Sequence, residues 1–245
     1  MGPFPKYIRH NNVLIAGLSL WAVAAFFQAA WWVYVLVFLV GFTIAYFGTT
    51  QISSNYHMPT FSIVKAHPKK EIALTFDDGV MNPKQSNLVL DVLKAHQAPA
   101  TFFCIGKNIT SEAQIEVLKR MDAEGHLIGN HSYSHAPMFD FYSTKRILQE
   151  VAQTDGLIQK HIGKKPNFFR QPYGITTPKI AKAIKTSQHQ TIGWSLRSLD
   201  TVLKDENLLL KRVKSKLKQG DVLLFHDHLE CMPQFLTNQK ILTLS

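Results

Sequence analysis

The sequence predicts an α/β protein: a parallel sheet with right-handed crossovers, preceded by an apolar N-terminal appendage. Three observations carry that expectation. Residues 13–48 form one uncharged apolar run. From residue 71 onward, short apolar runs alternate with segments of helical period, the pattern of strands joined through helices. The ionisable residues of this second region gather just after the apolar runs, where parallel strands have their ligand-binding carboxyl ends. At 245 residues the chain is long enough for one barrel-like domain and an appendage.

Residues 1–12 are a basic flank containing Lys6 and Arg9. The run 13–48, "VLIAGLSLWAVAAFFQAAWWVYVLVFLVGFTIAYFG", exceeds the apolar core of a signal peptide, about 7–15 residues. As one helix it would be about 54 Å long, against a hydrocarbon thickness of about 30 Å. A multi-pass segment is therefore expected: two spans, 13–30 and 31–48, folded as a hairpin near Gln28–Ala30. Trp31, Trp32 and Tyr34 would then lie near one interface, as aromatic belts do. One long tilted span with an interfacial lead-in is the competing expectation. Residues 49–70 read as a polar connector, with Ser53, Ser54, Asn55, two prolines and a lysine pair.

The domain then runs from 71 to 245. "EIALTF" (71–76) reads as a buried strand and "PKQSNLVLDVLKAHQ" (83–97) as a helix with Pro83 in its first turn. "ATFFCI" is a strand, and "SEAQIEVLKRMDAEG" (111–125) a helix closed by Gly125. "HLIGN" is a short strand, 143–163 a helix, "NFF" a strand and "TPKIAKAIKT" a helix. "QTIGW" is a strand, "NLLLKRVKSKLKQ" a basic amphipathic helix and "DVLLF" the last strand.

The net charge of +10 divides evenly: five lysines and arginines and no acids lie in residues 1–70, leaving +5 for the rest. No arginine stripe with interleaved aromatics is present, so nucleic acid is excluded as a partner. An anionic lipid surface or polymer fits this charge, as does a solvated lysine surface. Cys104 and Cys231 form neither a disulfide framework nor a metal knuckle, and Cys104 reads as a small core residue.

Within "NHSYSH", His131 and His135 stand four apart. Alone, such a pair is common by chance. Its surroundings change the reading. "ALTF" is followed by Asp77, Asp78 and Gly79, and "LIGN" by the two histidines. "NFF" is followed by Arg170, Pro172 and Tyr173, "TIGW" leads to Asp200, and "VLLF" is followed by His226 and Asp227. Each piece has a bland version: a turn, a surface pair, a satisfied core histidine. The joint pattern does not.

In this order, "TFDDG" (75–79), "HSYSH" (131–135), "RQPY" (170–173), "WSLRSLD" (194–200) and "LLFH" (223–226) resemble the five motifs of the polysaccharide deacetylase family. This is the NodB-homology domain, or carbohydrate esterase family 4. The resemblance covers about residues 70–245; its first three motifs are specific together and the last two weaker. It implies a distorted (β/α) barrel and hydrolysis of N-acetyl groups on amino sugars, or occasionally of O-acetyl groups. It implies a divalent metal, zinc first, with cobalt, nickel or manganese as alternatives, held by Asp78, His131 and His135. A catalytic zinc site takes three protein ligands and keeps an open position. Two histidines and a carboxylate also suit non-haem iron, but the accompanying acid/base set points to hydrolysis.

By the same resemblance Asp77 is the general base and Arg170 its tether. The Tyr173 backbone N–H helps to stabilise the oxyanion, His226 is the general acid and Asp200 orients it. Tyr173, Trp194 and Leu224 line the substrate site; Leu224 reads equally well as strand core. Adjacent aspartates on an extended strand point oppositely, so a turn must aim both inward. The chain departs from the family pattern at Val80 (usually Pro), Arg197 (an Asp) and Thr201 (a Trp). These changes leave the catalytic residues intact and alter the rim, which bears on substrate class. The chain stops soon after His226, at "NQKILTLS", predicting a short last helix and a thin barrel closure.

The partners expected are a carbohydrate, either an amino-sugar polymer or a lipid-linked amino sugar, and the membrane. Positive flanks on both sides of 13–48 place both ends of a hairpin in the cytosol, whereas most of the resembled family acts on polymers outside the cell. Both orientations stay open, as do two rivals: a sugar O-acetyl esterase, and a catalytically silent carbohydrate-binding module.

Overall fold

The computed structural model describes residues 4–5, 7–64 and 71–237. Lys6, Lys65, Lys69 and Lys70 of the charged flanks, and the terminal "NQKILTLS", lie outside the described residues.

Two helices open the chain: α1 (His10–Phe26) and α2 (Trp31–Thr50). They are joined by a short turn in which Gln28 takes φ +50° and pack along each other, with Trp21 edge-on to Tyr34 at 6.1 Å between ring centroids. Of the two, only α2, with 20 residues, is long and apolar enough to cross a bilayer by length and composition. At 17 residues α1 falls short. The expected pair of spans is thus a helical hairpin with one helix of span length.

The connector is not a free linker. From Ile52 to Ser62 every second residue is buried, the signature of an extended strap lying on a packed surface. Phe61 N–H donates to the Thr191 carbonyl and Gly193 N–H to the Phe61 carbonyl, each at 2.9 Å. Val64 N–H donates to the Gly220 carbonyl at 2.8 Å. Tyr56 packs on α2 at Gly48, where a β-carbon would come within 2.4 Å of the tyrosine ring. The other end of the hairpin returns here too: Phe4 N–H donates to the Ser54 carbonyl (2.9 Å) and His10 N–H to that of Tyr56 (3.1 Å). The α1 end of the hairpin therefore rests on the strap, and the α2 end is tied to the domain, where Thr176 N–H donates to the Thr49 carbonyl.

The domain alternates strand and helix as expected: β1 (Ala73–Gly79), α3 (Pro83–Ala95), β2 (Ala100–Cys104), α4 (Glu112–Ala123), β3 (Leu127–Asn130), α5 (Thr144–Ile162), β4 (Phe168–Phe169), α6 (Pro178–Ser187), β5 (Gln190–Thr191), β6 (Leu196–Arg197), α7 (Glu206–Lys216), β7 (Val222–His226) and α8 (Met232–Thr237). All strand pairs are parallel, in the order β5-β4-β3-β2-β1-β7-β6. The two edge strands, β5 and β6, follow one another in the chain, so the sheet curls round, and the strap bridges Ile192 and Asp221 across the gap. The connector thus spans the gap, while the C-terminal helix α8 packs against α3.

Helix starts follow their caps. Asn82 accepts from Gln85 N–H, and Ser111 and Gln114 form a capping box. The buried face of α3 is Ser86, Val89, Leu90 and Leu93, the spacing of an amphipathic helix. In the core between sheet and helices Phe76 stacks on Phe102 and meets Phe225 at a tilt. The expected strand "QTIGW" shortens to Gln190–Thr191, because Ile192 and Gly193 pair with the strap instead.

Candidate active site

The carboxyl ends of β1, β3, β4 and β7 converge, and the residues expected there meet. Strand β1 runs on through the two aspartates rather than ending before them. Its register with β2 shifts between Phe76 and Gly79, and Asp78 takes φ +62°. That bulge aims adjacent carboxylates at one site. Val80, Ser132, His135, Tyr173 and Leu199 also have φ between +48° and +67°. Non-glycine residues rarely adopt this region, and such strain gathers at functional sites.

Asp78 Oδ1 lies 3.8 Å from His131 Nε2 and 3.7 Å from His135 Nε2. Asp78 Oδ1 is buried and has no hydrogen-bond partner among the described residues. His131 Nδ1 bonds to the Arg170 carbonyl at 2.7 Å, which turns its Nε2 lone pair into the site. An unpartnered carboxylate oxygen facing two imidazole nitrogens fits a divalent cation, and the nitrogen–oxygen donor set suits zinc. Burial, then His131, lower the pKa of His135 and favour its neutral, ligating form.

Arg170 is fully buried beneath this cluster. It donates to Asp77 Oδ1 (2.7 Å), Thr75 Oγ1 (2.8 Å), the Gly193 carbonyl (2.7 Å) and the Ile192 carbonyl (3.0 Å). Its guanidinium also lies over Phe103 at 4.2 Å. Burial opposes the charge on Asp77. Arg170, with His131 and His226, outweighs it and holds the carboxyl below the usual carboxylate range.

On the next strand, in register with Asp77, stands His226. Its Nδ1 bonds to Asp200 Oδ1 at 2.9 Å, and its backbone N–H donates to Asp200 Oδ2 at 2.7 Å. Burial lowers the proton affinity of His226, but Asp200, then Asp77 and Asp78, raise it, pushing the pKa up to about 9. Asp77 is thus held deprotonated and His226 protonated around neutral pH.

Tyr173 meets the His135 ring edge-on at 4.8 Å between centroids, and its hydroxyl donates to the His135 carbonyl at 3.3 Å. The Tyr173 N–H meets no acceptor among the described residues. Trp194 packs on Gly174, whose φ of +70° and the clash that a β-carbon would make with the indole exclude a side chain. Leu224 is buried opposite Thr75. Its neighbours Leu223 and Phe225 belong to the outer core, so Leu224 faces the barrel interior below the site.

Sequence reading missed several supports. Glu150, in α5, accepts the N–H groups of Tyr133 (3.1 Å) and Ser134 (2.7 Å) and so holds the histidine loop. Ser132 Oγ accepts from His135 N–H at 3.1 Å. Asp227 is fully buried beside Ser86, which donates to it; burial pushes its pKa up to about 7. Glu150 lies mid-helix with no local signal; Asp227 was visible beside His226 but only as a motif neighbour.

The profile of the family described as Polysaccharide deacetylase matches residues 64–192, more than half of the chain. The chain belongs to the polysaccharide deacetylase family. The match contains the first three motifs; the fourth and fifth lie beyond it. Over 159 residues the chain is 35% identical to the peptidoglycan-N-acetylmuramic acid deacetylase PdaC of Bacillus subtilis, an overlap of 65% of this chain and 32% of that protein. It is 33% identical over 183 residues to PdaA of the same organism, also a peptidoglycan-N-acetylmuramic acid deacetylase, covering 70% of this chain and 67% of PdaA. The chain thus spans about a third of PdaC but two thirds of PdaA. The PdaC structure superposes with a TM-score of 0.65 at 31% identity, over 73% of this chain and 84% of that one. A CE4 family pseudoenzyme from Bacillus anthracis gives the same TM-score at 26% identity, over 74% and 63%.

Proposed function

We propose that this polysaccharide deacetylase family chain is a metal-dependent N-deacetylase of amino sugars, anchored to a membrane through α2. The carrying observation is the opposite poise of two neighbours in register on β1 and β7: Asp77 held ionised by Arg170, His226 held protonated by Asp200. Hydrolysis of an acetamide needs both at once, a base for water and an acid for the leaving nitrogen.

Asp78, His131 and His135 would hold the divalent cation, zinc first among the candidates. When bound it would polarise the acetyl carbonyl and acidify water. Asp77 takes a proton from water, and Arg170 keeps that carboxylate in place. The Tyr173 N–H is free to donate to the developing oxyanion. His226 gives its proton to the amine as the carbon–nitrogen bond breaks, leaving acetate and an amino sugar. Leu224 lies at the depth where an acetyl methyl group would end. The relatives' named substrates make peptidoglycan the first polymer to test. We also read α1 as the shorter partner of α2 in a membrane-inserted hairpin, whose open ends rest on the strap and on the domain.

The test is acetate release from peptidoglycan, chitooligosaccharide and lipid-linked N-acetylglucosamine, with and without chelator. His131→Ala and Asp78→Ala should lose metal and turnover together. Asp77→Asn should keep metal, by atomic absorption, and lose turnover. Unchanged metal in the first two, or full loss in the third, breaks the division of roles. Metal binding without acetate release from any substrate would favour a silent binding module, the reading that the pseudoenzyme neighbour supports.

A further inference from the structure

The wall formed by Tyr173 and Trp194 has two sides. One faces the cluster of Asp78, His131 and His135 through the edge-on contact of Tyr173 with His135. The other lines a separate cavity of about 600 Å³, within the size range of small-molecule sites. The floor of this cavity is basic: Arg197, Arg212, Lys216 and Lys218 line it. Arg212 is fixed by donating to the carbonyls of Ser198 (2.9 Å) and Arg197 (3.1 Å). Among the described residues none of these four cations has a carboxylate within ion-pair distance. The carboxylate lining the cavity, Asp221, is already engaged: its oxygens accept from Ser195 Oγ and Lys218 N–H, each at 2.7 Å. Four uncompensated cations against one occupied acid make an anion site, and arginine in particular matches phosphate oxygens.

The third wall says where the anion comes from. Thr50 and Gln51, at the C-terminal end of α2, line the same cavity. Thr176 N–H donates to the Thr49 carbonyl at 2.9 Å and ties the loop carrying Tyr173 to that helix end. Of the 20 residues of α2 only Gly48 is buried. An apolar helix that inserts in a bilayer brings its end, and this cavity, to the lipid headgroup level.

We propose that the cavity is a phosphate subsite and that the substrate is an N-acetylated amino sugar joined through phosphate to a membrane lipid. The phosphate sits on Arg197, Lys216 and Lys218, the tail stays in the bilayer beside α2, and the sugar passes Trp194 and Tyr173 to the metal cluster. This rests on the deacetylase reading above and names its substrate class. The shared chemistry is a sugar phosphate, and a soluble nucleotide sugar would present it too. The lipid is favoured because the cavity opens at the end of the apolar helix.

The test uses the full, metal-loaded chain in lipid nanodiscs. Acetate release is compared on N-acetylglucosamine joined by diphosphate to a long-chain polyprenol, on UDP-N-acetylglucosamine and on neutral chitotetraose. The variant is Arg197→Ser with Lys216→Ser and Lys218→Ser. Arg197→Glu alone, on an exposed edge, serves if the triple variant misfolds. Expected is a fall of about tenfold or more in the ratio of kcat/KM for the polyprenol substrate to that for chitotetraose, carried by KM. Binding of the polyprenyl diphosphate sugar to Asp77→Asn protein should weaken as much when the same three changes are added. A ratio and a binding constant that the variants leave unmoved overturn the subsite while the deacetylase reading stands. Phosphate-dependent binding with no acetate release from any substrate sinks the deacetylase reading and leaves the subsite. Equal use of the UDP sugar and the polyprenol sugar overturns the lipid assignment.

Discussion

Two carboxylate–cation pairs flank the cluster of Asp78, His131 and His135, alike in geometry and opposite in use. Asp77 and Arg170 meet at 2.7 Å, Asp200 and His226 at 2.9 Å. In the first pair the carboxylate faces the site and the cation is buried behind it; in the second the order is reversed. In each, the rear partner is the locked one. Arg170 spends its donors on Asp77, Thr75 and two backbone carbonyls. Asp200 takes the N–H groups of His226 and Thr201. The locked partner cannot reorient, so its charge sets the proton affinity of the front partner. The barrel thus makes a base and an acid by exchanging which member of a buried pair stands in front.

The comparison breaks most visibly on its acid side. His226→Ala should lower kcat by about 10²–10⁴-fold, the usual contribution of a positioned general acid, while the metal content stays unchanged. Next in size is the base side. Arg170→Met leaves Asp77 buried without its cation, which should cost about 3–5 kcal/mol of stability, read as a shift in the urea midpoint. Adding Asp77→Asn should return part of that loss, because no uncompensated charge is then left. A single variant that unfolds no earlier than the parent would mean that the pair is not holding the base.

Proton affinity separates the pairs further. With Asp77 held low and His226 raised to about 9, kcat/KM should be bell-shaped, with limbs that belong to the coupled set. A cation on the three ligands repels the His226 proton, so the loaded enzyme should show its basic limb below 9. Chelation should then raise the imidazole pKa, as read by NMR. Asp200→Asn should move the basic limb down by about one to three pH units and leave the acid limb in place. The folded pKa of His226 exceeds its unfolded value of 6.5, so its pairing stabilises the chain fully below pH 6.5. That contribution is lost as pH rises through about 9. Asp200→Asn should therefore destabilise the fold at neutral pH and much less above pH 9. A basic limb that Asp200→Asn leaves untouched would detach the two residues.

Much of this site was legible because each of its members follows an apolar run, and the end of a strand is a position that sequence marks. Asp77, His131, Arg170 and His226 were reached in that way, and the motif resemblance supplied the roles. The adjacent aspartates show what was hidden: that both point inward depends on the bulge and on φ +62° at Asp78, which no residue type announces there. The strap was hidden for a related reason. Ile52, Ser54, Tyr56, Met58, Thr60 and Ser62 alternate inward, but mixed polar and apolar residues in the buried set blur the period that would reveal a strand. β6 was missed because two residues inside a motif carry no periodicity. Glu150 serves backbone groups seventeen and sixteen residues earlier, a contact that only the tertiary fold creates.

The smallest expected effect tests whether the lock on Arg170 matters apart from its charge. Thr75 Oγ1 accepts from Arg170 Nη1 at 2.8 Å and donates to the Leu223 carbonyl at 2.6 Å. It lies on the inner face of β1, one strand position pair below Asp77. Thr75→Val keeps the shape and removes both bonds, stranding one guanidinium N–H and one carbonyl in a buried place. The expected loss is about 1–2 kcal/mol in a denaturation midpoint. Both limbs of the pH profile should stay where they are, because the arginine charge beside Asp77 is unchanged. Thr75→Ser, which restores the hydroxyl, should recover most of the stability. If Thr75→Val instead raises the acid limb, the charge alone does not set the Asp77 proton affinity and the placement of the guanidinium contributes to it. If Thr75→Val costs nothing, Arg170 is held well enough by its backbone acceptors, and the two pairs are more alike than their hydrogen bonds suggest.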